Sequence, residues 1–274
     1  MRLHPVARLT GLSPRRRAFF AGVALIVVAL VVTGGVRLAL TRGHQVQATA
    51  ATVRSDVLLV PGYGGGTGGL SQLASRIRGT GRRATVVPLP GGGTGDLRDQ
   101  AEVLNRYVSQ ALNAGSGPVT VIGYSAGGVV TWLWDVDYHP TSRVRRVITL
   151  GSPLHGASLA ALGTAFDPSE CPVACQQLAP GSSLLTALQR VPVRRPPWLS
   201  LWTTDDQIVQ PPDSARLPGA VNVPLQSVCP GINVSHGQLP TSALATGIVL
   251  RALGPAPLAS PGARQCQTLQ RLGW

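Results

Sequence analysis

From residue 55 onward, short apolar runs alternate with stretches whose apolar positions recur every three or four residues. Asp56-Val-Leu-Leu-Val60 is too short for a helix and is ended by Pro61 and Gly62, so it reads as a strand buried on both faces. Leu70, Leu73, Ala74 and Ile77 fall at helical spacing and predict a first helix ending at Gly79 or Gly81. A second strand is expected over Ala84–Val87, then a glycine-rich loop, then a helix capped by Asp96. Leu97, Ala101, Leu104, Tyr107, Val108 and Leu112 form the apolar face of that helix, and Arg98, Asp99, Glu102 and Arg106 lie mostly outside it. Further strands are expected at Val119–Ile122, Val144–Leu150, Trp198–Trp202 and Ala220–Pro224. Helices are expected from the turn after Ile122 to about Asp137, at Ser182–Gln189 and near Thr241–Leu253. Between Leu154 and Pro197 the pattern weakens among prolines, and that stretch reads as an excursion over the sheet.

Strands alternating with helices in this order predict an α/β fold, with a mostly parallel central sheet covered by helices on both faces. Such sheets bind ligands beyond the carboxyl ends of their strands, and two segments with chemistry fall there. The first is Gly123-Tyr124-Ser125-Ala126-Gly127, a strand, sharp turn and helix start that would lift the serine hydroxyl above the sheet. In a chain with 33 glycines the five-residue pattern alone is a weak signal, and its context gives it weight. Ser125 is the candidate nucleophile. The second is Pro61-Gly62-Tyr63-Gly64-Gly65-Gly66, whose glycines let backbone N–H groups approach a ligand closely.

A serine hydroxyl needs a base to accept its proton and an acid to orient that base. In this architecture the partners follow in the order serine, acid, histidine. Of the five histidines, His4 and His44 precede the folded region and His139 and His155 precede every late acid, which leaves His236 as the base. Asp206 follows a predicted strand and precedes Ile208 and Val209, which are expected to hold its loop; Asp205 and Asp213 stay open as alternatives. The N–H groups of Ala126 and Tyr63 are the candidate donors for a developing oxyanion, and the Tyr63 side chain is expected to line the pocket.

Charge and hydropathy change the picture at the N-terminus. The net charge of +13 points at first to nucleic acid, but eight of the 24 basic residues precede Ser55 and every acidic residue follows it. Residues 55–274 hold 16 arginines against 11 acidic residues, scattered rather than interleaved with aromatics, so no nucleic-acid partner is expected. Arg15, Arg16 and Arg17 precede 19 uncharged residues, Ala18–Val36. As a helix that run is about 28 Å long, close to the ~30 Å hydrocarbon core of a bilayer. It predicts a cytoplasmic basic segment at 1–17, a single-pass signal-anchor at 18–36, a linker at 37–54 and an exported domain at 55–274. A cleaved signal peptide and a secreted product is the rival reading. The four cysteines suit an exported protein. Cys171 and Cys175 lack a second pair at zinc spacing, so no metal is expected. Of three connectivities the preferred one joins Cys171 to Cys175 and Cys229 to Cys266.

The Val-Leu-Leu-Val-Pro-Gly-Tyr-Gly-Gly strand and loop, the Gly-Tyr-Ser-Ala-Gly-Gly turn, Gly151-Ser-Pro-Leu-His-Gly156, Asp206-Gln-Ile-Val209 and Ser235-His-Gly237 together resemble small bacterial lipases and esterases of the α/β-hydrolase superfamily. The resemblance spans roughly Ser55 to Leu253. It implies a catalytic triad of Ser125, Asp206 and His236 and an oxyanion hole at Tyr63 and Ala126. Pro61 departs from the pattern, standing where many lipases have histidine, and His155 resembles a loop residue near the lipase pocket. The expected function is cleavage of lipid-type carboxylic esters through an acyl-enzyme, by a monomer without cofactor whose partners are an ester or lipid substrate and the membrane. The same triad serves acyl transfer or thioester cleavage, and a non-catalytic membrane-tethered binding protein on the same fold is the alternative outside enzymes.

Overall fold

In the computed structural model, which describes residues 55–140, 142–158, 171–193 and 196–274, strands β1 (Ser55–Val60), β2 (Ala84–Val86), β3 (Gly117–Tyr124), β4 (Val144–Leu150), β5 (Trp198–Trp202) and β6 (Val221–Pro224) form one sheet. Their order is β2-β1-β3-β4-β5-β6, and every neighbouring pair is parallel. The expected basic segment, signal-anchor and linker lie outside the described residues. Among the described residues no helix is long and apolar enough to cross a membrane.

Successive side chains of a strand leave opposite faces, so a strand buried on both must be apolar throughout. β1 behaves in this way: Leu58 and Val60 enter one core, Val57 and Leu59 the other. The first core is closed by α2 (Leu97–Asn113) and α3 (Ala126–Tyr138), the second by α1 (Gly68–Gly79) and α7 (Ala243–Ala252). Asp96 caps α2 by accepting from the Arg98 N–H at 2.8 Å, as its position before the apolar face predicts.

The excursion after β4 contains two short helices, α4 (Val173–Gln177) and α5 (Ser183–Gln189), the second capped by Ser182. After β6 come α6 (Leu225–Val228), α7 and a helix that the sequence pattern did not predict, α8 (Cys266–Gly273). Its first residue is tied to Cys229 by a disulfide, and the other disulfide joins Cys171 to Cys175. Both are the expected pairings. α7 and α8 cross with their backbones in contact: a Cβ at Gly247 would meet the Leu269 carbonyl, and one at Gly273 the Ala243 carbonyl. At the other end of α7, Arg82, Arg145 and Arg146 donate to the carbonyls of Leu253, Gly254 and Ala252. These guanidiniums face the negative end of the helix dipole, so three of the scattered arginines serve the fold.

The connections run outward in one direction from β1 to β2 and in the other from β3 to β6, so the chain reverses between β1 and β3. A crevice opens at such a point, beyond the carboxyl ends of the two strands. There β1 ends at Val60 beside Gly123, just before Ser125.

Candidate active site

Ser125 joins β3 to α3 with φ 53° and ψ −127°, a conformation that costs a non-glycine residue about 1–3 kcal/mol. Its N–H donates to the Leu150 carbonyl of β4 at 2.9 Å, and its carbonyl accepts from the Gly128 N–H at 3.0 Å. The turn closes because its flanking glycines remove side chains. A Cβ at Gly123 would lie 2.6 Å from backbone atoms of Gly127 and Gly128, and one at Gly127 would strike the carbonyls of Val60 and Pro61. The loop after β1 therefore passes directly under the start of α3. Gly62 comes so near the serine that its own Cβ would be 2.9 Å from that of Ser125.

His236 opens a single helical turn after β6 and is 6% exposed. Its Nε2 is 3.0 Å from Ser125 Oγ and its Nδ1 is 2.7 Å from Asp206 Oδ2. Asp206, 2% exposed, is fixed in turn: its Oδ1 accepts from the N–H groups of Ile208 at 2.9 Å and Val209 at 2.8 Å. The expected holding of the loop by these two residues is thus made by their backbones. Val209 is also buried, whereas the Ile208 side chain is 47% exposed. With Oδ1 occupied by two donors, Oδ2 is left to accept from Nδ1–H, and that tautomer leaves Nε2 as an acceptor facing the serine.

Two residues at this site escaped the sequence reading. Gly151, at φ 55°, sits beneath Asp206 and His236: a Cβ there would be 3.2 Å from His236 Nδ1 and 3.3 Å from Asp206 Oδ2. Tyr124 donates its hydroxyl to the His236 carbonyl at 3.2 Å, and its ring centroid is 5.2 Å from that of the imidazole. Burial, helped by the negative Asp206, pushes the Tyr124 hydroxyl up to about 12, so it stays a donor across the working pH range. Both signals were present as residues inside quoted motifs, but their roles depend on partners far along the chain.

Beside Ser125 lies a cavity of about 150 Å³ lined by Tyr63, Ala126, Pro153, Ala157, Cys175, Leu178, Ile208 and Val209. The lining is almost wholly apolar. Tyr63 and Ala126 therefore both border the space above the serine. The N–H of Ala126 is the first in α3 and has no intrahelical acceptor.

No family model matches the chain, and no curated protein matches it in sequence. Solved structures do match. Aspergillus fumigatus lipase B superposes with a TM-score of 0.64 at 20% identity, covering 81% of this chain and 62% of that one. The mature Bacillus licheniformis lipase BlEst2 gives 0.53 at 18% identity, over 63% of this chain and 83% of that one. MGS-MChE2, an alpha/beta hydrolase enzyme from a sediment metagenome of the Mar Chica lagoon, gives 0.51 at 16%, over 72% and 89%. The chain has the α/β-hydrolase fold. It spans less than two thirds of the length of the fungal lipase.

Within this α/β-hydrolase fold the other candidate residues fall elsewhere. Asp205 accepts from the Gln226 amide at 3.2 Å and does not reach His236. Asp213 is exposed on the turn Pro212–Ala215. His155 donates from Nδ1 to the Ser214 carbonyl at 3.0 Å and borders, with Asp213 and Arg216, a separate surface cavity.

Proposed function

We propose that the chain is a serine hydrolase that cleaves lipid-type carboxylic esters through an acyl-enzyme. The observation that carries this reading is the unbroken hydrogen-bond chain Asp206–His236–Ser125 opening on an apolar cavity. His236 Nε2 takes the Ser125 proton as Oγ attacks the ester carbonyl carbon, and Asp206 stabilises the imidazolium that forms. The carbonyl oxygen, now negative, is held by the N–H groups of Ala126 and Tyr63, the former at the positive end of α3. Collapse of the tetrahedral intermediate expels the alcohol, which takes the proton from His236. Water, activated by the same imidazole, then releases the acid and restores the serine. The acyl chain occupies the cavity, whose lining is almost wholly apolar.

The two disulfides agree with an extracytoplasmic domain. We infer that residues 18–36 tether it to the membrane, because that run is uncharged and long enough to span and its upstream flank is basic.

Hydrolysis of p-nitrophenyl butyrate by the purified protein tests the main reading. Wild type should turn over, and Ser125→Ala should lower kcat by about 10⁴-fold or more while melting normally. An inactive wild type, or a Ser125→Ala variant as active as wild type, would overturn it.

A further inference from the structure

One wall of the cavity beside Ser125 is a segment that cannot hold its own shape. Helix α4 is five residues long, far below the ~12–15 at which an isolated helix becomes even marginal, so its position depends on ties to its surroundings. The Cys171–Cys175 disulfide clasps its first turn. The Gln177 amide locks it to the N-terminus of α2: Oε1 accepts from the Leu97 N–H at 2.8 Å and Nε2 donates to the Asp96 carboxylate at 2.9 Å. A third tie runs from the Ala174 N–H to the Thr94 carbonyl at 3.1 Å. Thr94 follows the turn Pro90–Gly93, whose Gly92 packs against Gly65 of the loop after β1 so closely that a Cβ at Gly65 would be 2.7 Å from it. The wall and the Tyr63 loop are therefore braced on the same turn.

A disulfide in an exported loop could serve stability alone, but here Cys175 and the residue that ends the helix, Leu178, both border the cavity that holds Ser125. That cavity is about 150 Å³. An apolar cavity of about 150 Å³ engineered into another protein takes up one benzene, a ligand of six carbons, which sets the scale of what fits here.

We propose that the clasped segment Cys171–Leu178 is the gauge that limits the acyl chain at Ser125 to about four to six carbons, with Cys175 and Leu178 as the specificity-determining side chains. This rests on the hydrolase reading above and names its substrate class as short-acyl esters. A long acyl chain would have to displace a wall that three separate ties hold in place.

The test is a kcat/KM series on p-nitrophenyl esters from acetate to dodecanoate, each value divided by that for acetate so that a general loss of activity cancels. Wild type should rise about fourfold per added methylene while the cavity fills, peak between the butyrate and hexanoate esters, and fall beyond. Leu178→Ala should move the peak two or three carbons longer. The double substitution C171A/C175A should cut the preference for butyrate over decanoate at least tenfold by freeing the wall. If that variant does not fold, Leu178→Ala carries the test alone. A wild-type profile that climbs through decanoate, or a Leu178→Ala profile that matches wild type, would overturn the gauge while leaving the hydrolase reading intact. A wild type inert towards every ester would overturn both.

Discussion

Replacing Asp206 by asparagine changes one atom's chemistry and nothing of its size, and the surrounding donors dictate how the amide must sit. Oδ1 receives the N–H groups of Ile208 at 2.9 Å and Val209 at 2.8 Å, while Oδ2 faces His236 Nδ1 at 2.7 Å. An amide turned with its NH₂ towards the backbone would leave both N–H groups unsatisfied, at about 1–3 kcal/mol for the buried Val209 N–H alone. The amide oxygen will therefore face the backbone and its NH₂ will face Nδ1. Nδ1 must then accept, which moves the ring proton to Nε2, 3.0 Å from Ser125 Oγ. The base becomes a donor aimed at the hydroxyl whose proton it should take. Loss of the tautomer should lower kcat on p-nitrophenyl butyrate about 10³–10⁴-fold, equivalent to about 4–5.5 kcal/mol of barrier, with KM and melting temperature little changed. Asp205→Asn, which disturbs only the contact with Gln226, should stay within about twofold of wild type. The reasoning fails if Asp206→Asn keeps more than a tenth of wild-type kcat, or if Asp205→Asn is the inactive variant.

The remaining predictions concern stability and location. Asp135 on α3 has a buried Oδ1 without a hydrogen-bond partner among the described residues, and burial raises its carboxyl from 3.8 to about 7, with Trp198 pulling it back in part. The folded state therefore holds a proton that the unfolded chain has released, so stability falls as pH rises from 3.8 to about 7. Asp135→Asn should remove that fall, with the variant melting higher than wild type near pH 8 and the gap closing towards pH 4 (about the unfolded carboxyl value); parallel melting curves would contradict it. Fractionated cells should hold the full chain in membranes, released by detergent but not by salt, and recovery from the medium with a new N-terminus near Ala51 would instead mean a cleaved signal.

The strands were legible because this sheet is buried on both faces, which leaves continuous apolar runs: β4 and β5 have the predicted limits, and β1 begins one residue earlier, at Ser55. The serine turn was legible for a related reason, since only small residues fit where Gly123 meets Gly127 and Gly128. α8 was not. Its stretch Cys-Gln-Thr-Leu-Gln-Arg-Leu-Gly buries only Leu269 and Gly273, and it is held by the bond to Cys229 and by a close crossing on Gly247. Cys266, Leu269 and Gly273 do fall at helical spacing, but over eight residues that period is too short to single out a helix, and the support is tertiary. α4 is too short to show a period and depends on Gln177 reaching back 80 residues to the N–H of Leu97. Chain order selected His236 and left three late carboxylates; it is the fold, with Gly151 beneath both side chains, that sets Asp206 rather than Asp205 or Asp213 against the His236 ring.

An alkyl p-nitrophenyl phosphonate reacts with an activated serine and stays attached, so mapping its adduct tests the proposed mechanism at the atom that matters most. One equivalent should bind the folded protein on Ser125, and His236→Ala should slow the labelling by orders of magnitude. Labelling on another serine, such as Ser152, whose buried hydroxyl has no hydrogen-bond partner among the described residues, or labelling that proceeds as fast without His236, would contradict the account.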